Sequence, residues 1–211
     1  KIKEIQTIRT RASGTWLFVK IITDQPGRYG IGSASDHFRC RAVPAAIENI
    51  APPLIGRECS RIEDVWQFIY TSGYWRNDSV MNTVQAGIDM ALWDILGKAT
   101  GMPVARLLGG CYRQRVQPYC SLLMEQPKQM FDVITSYRKL GFTAFKIGWG
   151  PFGRAMDHKL DAAIVRAARD AAGADAKLFV DAGASDAYWP HGLKWALRTA
   201  NMLAEYDVGW F

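Results

Sequence analysis

The chain has 211 residues, of which 49% are hydrophobic and 22% are charged, and its formal net charge is +6. These proportions are those of an ordinary globular protein, and the absence of a block of about five like charges argues against a nucleic-acid-binding segment. No apolar run approaches the roughly 18 residues of a membrane span, and the first residues lack the apolar region of a signal peptide. The four cysteines show no Cys-x-x-Cys spacing. We therefore expect a reduced, cytoplasmic protein that binds neither nucleic acid nor membranes.

The first half of the chain predicts a small antiparallel sheet followed by helices. Runs of β-branched and aromatic residues predict strands over 2–8, 15–23 and 29–32. Apolar residues spaced by three and four predict helices over 42–50, 62–69 and 79–100. Ser60 is the predicted cap of the second helix, and Gly101 is predicted to end the third. Strands followed by helices are typical of an α+β domain.

From about residue 115 strands and helices alternate. Strands are predicted over 116–121, 144–148, 178–181 and 208–211, and helices over 126–140, 160–172 and 193–206. This order, with a unit of roughly 30 residues, is the pattern of parallel βα repeats. We therefore expect two domains, residues 1–112 and residues 113–211.

The second domain is too short for a closed architecture. Four strands and three helices make half of an eight-stranded (β/α) barrel, which normally needs about 250 residues. An open doubly wound sheet needs fewer strands, but the sequence lacks the Gly-x-Gly-x-x-Gly and phosphate-loop motifs that favour it. The chain also ends within an apolar strand, which would leave an unpaired sheet edge. We therefore expect the 211 residues to be an incomplete copy of a longer polypeptide.

One long motif carries a resemblance to a known family. It runs from Gly87 to Lys98, contains Asp-x-Ala-Leu-Trp-Asp, and is followed by Gly101-Met102-Pro103-Val104 and Leu107-Leu108-Gly109-Gly110. With Pro53 to Arg57 before it and Arg115 to Tyr119 after it, the sequence resembles the enolase superfamily, and within it the mandelate racemase/muconate lactonizing enzyme branch. The resemblance implies an α+β capping domain followed by the first βα units of a modified TIM (β/α) barrel, incomplete in this chain. The motif marks the fold and performs no chemistry.

The resemblance also implies a reaction. The superfamily removes a proton next to a carboxylate and stabilises the resulting enediolate with Mg²⁺. We expect a Mg²⁺-dependent dehydratase, a hydro-lyase that eliminates the β-hydroxyl of a sugar acid, and a homo-oligomer. Two alternatives stay open: a racemase or epimerase of the same superfamily, and a truncated, non-catalytic chain. The remaining metal ligands are expected beyond Phe211, so the 211 residues alone are expected to bind Mg²⁺ weakly and to be inactive.

Asp181 is the predicted metal ligand. It follows the apolar run Leu178 to Val180 and so lies at the carboxyl end of a βα strand, where barrel enzymes place their catalytic groups. Carboxylate oxygens are the ligands that Mg²⁺ prefers. The resemblance matches Asp181 to the first metal ligand of the family, whereas the residues alone also fit an aspartate that caps a helix or closes a turn.

Lys146 is the predicted catalytic residue. Aligned from Gly141, it matches the first lysine of the family's Lys-x-Lys pattern, which favours the substrate carboxylate, and Gly148 stands where the second lysine, the base, would be. This departure favours a dehydratase over a two-base racemase and leaves the base to Lys146 itself or to a group beyond the chain. The residues alone also fit a lysine at a strand end whose amine extends to solvent.

Four further residues are predicted to contact substrate. Trp149 and Arg154 lie in a glycine-punctuated loop after the second barrel strand, and a guanidinium is well suited to a carboxylate. His37 and Trp75 lie in two polar segments of the first domain that are candidates for loops closing over a site. Each also fits an ordinary surface position.

Overall fold

The computed structural model of the protein describes residues 1–11, 14–154, 157–182 and 192–211. These residues form two compact units, Lys1–Tyr112 and Arg113–Phe211. No helix within the described ranges combines the length and the apolar character that a membrane span requires.

The first unit opens with an antiparallel meander. Strands β1 (Ile2–Arg11), β2 (Thr15–Thr23) and β3 (Tyr29–Ser33) pair in that order. On β2 every second side chain is buried, with Leu17, Val19 and Ile21 at most 2% exposed. This period of two places one face of the sheet in the core. The three predicted strands are confirmed.

Helices cover the buried face of this sheet. They are α1 (Ala42–Ile50), a 3₁₀ turn (Pro52–Leu54), α2 (Ile62–Thr71), α3 (Ser79–Thr100) and the short α4 (Val104–Leu107). Asp78 caps α3 by accepting hydrogen bonds from the N–H groups of Val80 and Met81, both at 2.9 Å. Gly101 ends α3 with a φ of 67°, as predicted.

The predicted cap of α2 is wrong. The residue before the helix is Arg61, and it makes no side-chain capping hydrogen bond. The Arg61 N–H donates to the carbonyl of Glu58 at 3.1 Å. Because this turn precedes the helix, Ser60 lies one position too early to reach the first free N–H groups.

Two glycines let strand β3 lie directly on α3. A Cβ atom at Gly30 would overlap the carbonyl oxygen of Ala91, and one at Gly32 would overlap that of Gly87. Only glycine permits this backbone approach. Both carbonyl oxygens belong to the motif from Gly87 to Lys98, so the motif that carries the family resemblance supplies the helix side of this contact.

Asp94 of the same motif ties the sheet to the helix by a hydrogen bond. Its Oδ2 accepts from the Ile31 N–H at 2.8 Å and from the Lys98 ammonium at 2.7 Å. Lys98 also donates to the Tyr29 carbonyl at 3.0 Å. The motif thus performs the structural task expected of it.

The second unit is a run of βα repeats. Its elements are β4 (Cys120–Leu123), α5 (Pro127–Lys139), β5 (Ala144–Gly148), α6 (His158–Ala172), β6 (Lys177–Asp181) and α7 (Gly192–Ala204). The three strands are parallel and pair in the order β4-β5-β6. Val208 adds a parallel bridge to Leu178, and the Val180 N–H donates to the Trp210 carbonyl at 3.1 Å. The chain after α7 therefore runs beside β6, at the position predicted for a fourth strand.

The strand predicted over 116–121 begins later. Residues 116–119 are exposed and unpaired in the sheet, and Val116 is 75% exposed. The ladder starts where Cys120 pairs with Phe145, the second residue of β5. Pro118 has no N–H to donate to a ladder, so the β-branched Val116 was a misleading signal.

Arg169 connects the segment between α6 and β6 to the segment that follows α7. The guanidinium of Arg169 donates to the carbonyls of Gly173, Ala176, Tyr206 and Asp207 at distances between 2.7 and 3.0 Å. A planar group with five donors suits such a set of carbonyls.

Candidate active site

Lys146 and Asp181 meet at the carboxyl ends of two neighbouring parallel strands. Lys146 Nζ lies 3.2 Å from Asp181 Oδ2. The lysine side chain is 13% exposed and the aspartate side chain 40% exposed. A nearly buried ammonium therefore faces a half-buried carboxylate at the edge where βα enzymes carry out their chemistry. The structure brings these two predicted residues together.

Gly148 leaves no room for a side chain beside this pair. It stands opposite Asp181 in the parallel ladder, and a Cβ atom at Gly148 would overlap the Asp181 carbonyl oxygen. Any other residue would displace the strand end that carries the carboxylate. The backbone here consequently excludes a second lysine at position 148.

Trp149 begins a turn with an unusual backbone. Its φ is 63°, in the left-handed region that bulky residues rarely adopt, and the φ of Gly150 is 65°. The indole is 43% exposed. Such strain persists where the surroundings fix the conformation, and it is found mainly at functional sites.

Arg154 closes the same turn. Its N–H donates to the Pro151 carbonyl at 3.1 Å, and the residue is exposed. The structure thus places Trp149 and Arg154 at the two ends of one short turn after β5.

The other two predicted contacts lie in separate connections of the first unit. His37 lies in the connection between β3 and α1, and its ring packs edge-on against Trp16 with ring centroids 6.0 Å apart. Trp75 lies in the connection between α2 and α3 and packs edge-on against Tyr74, with ring centroids 4.9 Å apart. Trp75 is 85% exposed. The first unit does not bring these two side chains to one another.

The Cys120 thiol of the barrel unit is not activated as a nucleophile. Burial raises the pKa of the Cys120 thiol, at the start of β4. A raised pKa keeps the thiol protonated and unreactive at neutral pH. Cys120 is therefore a packing residue.

The described residues supply one carboxylate suited to a hard cation. Asp181 is partly exposed, so its carboxylate fits as a single ligand for Mg²⁺ once it is released from the Lys146 ammonium. Among the described ranges, however, no group of three or more His, Cys, Asp or Glu side chains gathers where one ion would sit. A complete cage is therefore absent from this part of the chain.

Asp161 belongs to the site's surroundings and was not predicted. It lies in the first turn of α6, is 1% exposed, and accepts the Gly153 N–H at 2.9 Å. A first-turn aspartate is common because the helix dipole favours it, so its sequence position carries no signal of its own. Only its burial under the turn after β5 reveals it.

Comparison with known proteins decides the family. Residues 4–109 match the mandelate racemase/muconate lactonizing enzyme N-terminal domain, and residues 129–211 match the enolase C-terminal domain-like family. The chain belongs to the mandelate racemase/muconate lactonizing enzyme family. This membership confirms the predicted fold class, an α+β capping domain followed by part of a modified (β/α) barrel.

Several relatives in this family have names or structures that bear on chemistry. A D-galactonate dehydratase family member from Paenibacillus sp. (strain JDR-2) is 46% identical over 72% of the chain and 38% of its own length. A D-galactonate dehydratase from Xanthomonas axonopodis pv. citri is 40% identical over 74% of the chain and 41% of its own length. The chain therefore spans about two fifths of these curated relatives.

A solved structure supports the same fold. An enolase from Pantoea ananatis, crystallised with D-gluconate and Mg, superposes with a TM-score of 0.84 and is 29% identical. The match covers 98% of this chain and 58% of that one.

Proposed function

We propose that these residues form the capping unit and the first barrel repeats of a sugar-acid dehydratase. The observation that carries the proposal is the contact between Lys146 and Asp181, 3.2 Å apart at adjacent strand ends. The names of the dehydratase relatives, and the D-gluconate bound by the Pantoea protein, support a sugar acid as the substrate class.

In this proposal Lys146 binds the substrate carboxylate. The Lys146 side chain is 13% exposed, so an anion that displaces Asp181 from its ammonium would meet a charge with little competing solvent. Asp181, released from Lys146, is one ligand for Mg²⁺. When bound, Mg²⁺ supplies positive charge where negative charge develops on the substrate carboxylate.

The reaction removes one water. A base takes the proton on the carbon next to the carboxylate, and the bond between the next carbon and its hydroxyl breaks. The hydroxyl leaves as water after receiving a proton, and the resulting enol rearranges to a 2-keto-3-deoxy acid. The base is Lys146 or a group outside the described residues.

The geometry at Gly148 supports dehydration over racemisation by two bases. A racemase of that type needs a proton carrier on each face of the substrate carbon, and position 148 has no space for a side chain. Trp149 and Arg154, at the ends of the neighbouring turn, are the proposed substrate contacts of the barrel unit. His37 and Trp75 are the proposed contacts of the capping unit.

A direct assay tests this function. The complete gene product is incubated with D-galactonate and with D-gluconate, with Mg²⁺ or with a chelator, and the 2-keto acid is measured. We expect activity that needs Mg²⁺ and that falls by at least about a thousandfold in Lys146→Met and Asp181→Asn, because each removes a charge acting on the reacting carboxylate.

The matched control is Lys177→Met. Lys177 lies at the opposite end of β6, where it donates to Gln117 at 3.0 Å, so its loss should leave activity unchanged. An epimerised acid without keto acid would favour the racemase alternative. Full activity in Lys146→Met would overturn the proposal.

A further inference from the structure

The turn after β5 is fixed at several points despite its strained start. Gly150 lies so close to β4 that a Cβ atom there would overlap the Met124 carbonyl oxygen. Phe152 is 1% exposed and packs edge-on against Trp195, with centroids 6.1 Å apart. Gly153, with a φ of 72°, donates its N–H to Asp161. Before Trp149, the Gly148 carbonyl accepts the Met124 N–H at 2.7 Å, so contacts on both sides hold the left-handed backbone of Trp149.

Asp161 contributes an ionisable group to these contacts. Asp161 is 1% exposed, and burying a carboxylate this deeply costs free energy unless the group is hydrogen-bonded. A structural role for this carboxylate would explain why it is buried here. Capping α6 is not that role. Asp157 already caps the helix, accepting from the Lys159 and Leu160 N–H groups at 2.9 and 3.2 Å. The Asp161 carboxylate turns away to the Gly153 N–H at 2.9 Å.

We propose that Asp161 is a positioning residue that holds the Trp149 ring at the carboxyl end of β5. Its bond to Gly153 fixes the far end of the turn, and Phe152 and Gly150 transmit that constraint back to Trp149. Asp161 contacts neither substrate nor metal and acts only through the turn. The proposal rests on the proposed function for the meaning of Trp149 as a substrate contact.

The first test measures the turn itself. In Asp161→Ala, hydrogen exchange of the Gly153 amide should accelerate by at least about tenfold relative to the amides of β5, the ratio expected when a hydrogen bond to a charged group is lost. Asp161→Asn keeps an oxygen acceptor and should retain most of the protection. Asp170→Ala, an exposed position on the same helix, should change nothing.

The second test measures the consequence for substrate. With D-galactonate as the probe, Asp161→Ala should raise KM by about tenfold with a smaller change in kcat, and Asp161→Asn should restore most of the loss. In a Trp149→Gly background the same substitution should no longer change KM, because the ring that it positions is gone. A purely structural role would lower stability equally in both backgrounds.

The outcomes separate the two proposals. If Asp161→Ala leaves Gly153 protected, or raises KM equally with and without the Trp149 ring, the positioning role is wrong. If the wild-type protein dehydrates no sugar acid, the proposed function fails, while the exchange result still decides whether Asp161 fixes the turn. Should Asp161→Ala not fold, Asp161→Leu takes its place, because leucine fills a similar volume but offers no acceptor to the Gly153 N–H, so the same changes in exchange and KM are expected.

Discussion

Gly148 and Asp181 stand opposite each other in the parallel ladder of β5 and β6, and the backbone of the aspartate occupies the space that a side chain on the glycine would need. The missing side chain thus determines where the carboxylate sits. The glycine is a condition for the geometry of the site as well as a departure from a lysine pattern.

Gly148→Ala should destabilise the second unit. The added Cβ must push the Asp181 carbonyl aside, and such overpacking typically lowers the free energy of unfolding by about 1–3 kcal/mol. Urea unfolding measures the change. Gly73→Ala is the matched control, since the nearest atom to its new Cβ is the Trp75 carbonyl oxygen at an ordinary 3.4 Å. Equal, small effects at both positions would contradict the packing described here.

The 211-residue chain should bind Mg²⁺ weakly. Asp181 is a single carboxylate, and no cluster of three or more ligand side chains is found within the described part of the chain. One carboxylate with water is a poor cage, so half-saturation should lie no tighter than the millimolar range. Isothermal titration checks this, and Asp181→Asn should abolish the residual signal. Micromolar binding would show that other residues complete the site.

Asp94→Ala should weaken the first unit. It leaves the Ile31 N–H without its partner at 2.8 Å, which should lower the free energy of unfolding by about 1–3 kcal/mol. Asp94→Asn keeps an acceptor and should cost less. Lys98→Met removes the half-exposed ion pair and the bond to the Tyr29 carbonyl but leaves the bond to Ile31, and we expect a cost of about 0.5–1 kcal/mol. A loss in Lys98→Met as large as that in Asp94→Ala would show that the contacts of Lys98, rather than the bond to Ile31, are the main tie.

Asp89→Asn should stabilise the fold at neutral pH. Burial, and next the charge of Glu63, raise the pKa of the Asp89 carboxyl, while its hydrogen bond from Trp93 acts in the opposite direction. A folded-state pKa above the unfolded one means that the ionised carboxylate destabilises the native state, and that this penalty disappears as the pH falls below the unfolded pKa.

Thermal unfolding between pH 4 and pH 8 tests this sign. The advantage of Asp89→Asn over wild type should be largest near pH 7 and should shrink as the pH falls towards about 4, the ordinary pKa of aspartate, because a growing share of the wild-type carboxyl is then protonated in both states. Asp132→Asn, at an exposed ion pair, should show no such gain. A less stable Asp89→Asn at pH 7 would mean that the bond from Trp93 outweighs desolvation.

The order of elements was predictable because each one carries its own local signal. Strand β5 was expected over 144–148 and lies there, since its apolar run is bounded by Gly141 and Gly150. Strand β4 was misplaced because its start depends on where β5 offers partners, which no local pattern contains. The short helix α4 was not predicted, as four residues are too few to show a period.

The site was predictable only in part. Lys146 and Asp181 were each chosen from strand ends and from a family resemblance, and parallel strands bring such ends together. The space at Gly148, the backbone of Trp149 and the burial of Asp161 depend on neighbours distant in sequence. These features follow from three-dimensional contacts, which residue type and spacing alone do not specify.

Arg169 gives the second unit a mechanical property. Its one guanidinium bonds carbonyls that follow α6 and carbonyls that follow α7. If either segment detaches while the other stays in place, it loses its hydrogen bonds to the Arg169 guanidinium. Local openings of the two segments should therefore be synchronous, so the residues after α6 and those after α7 should unfold as one cooperative unit.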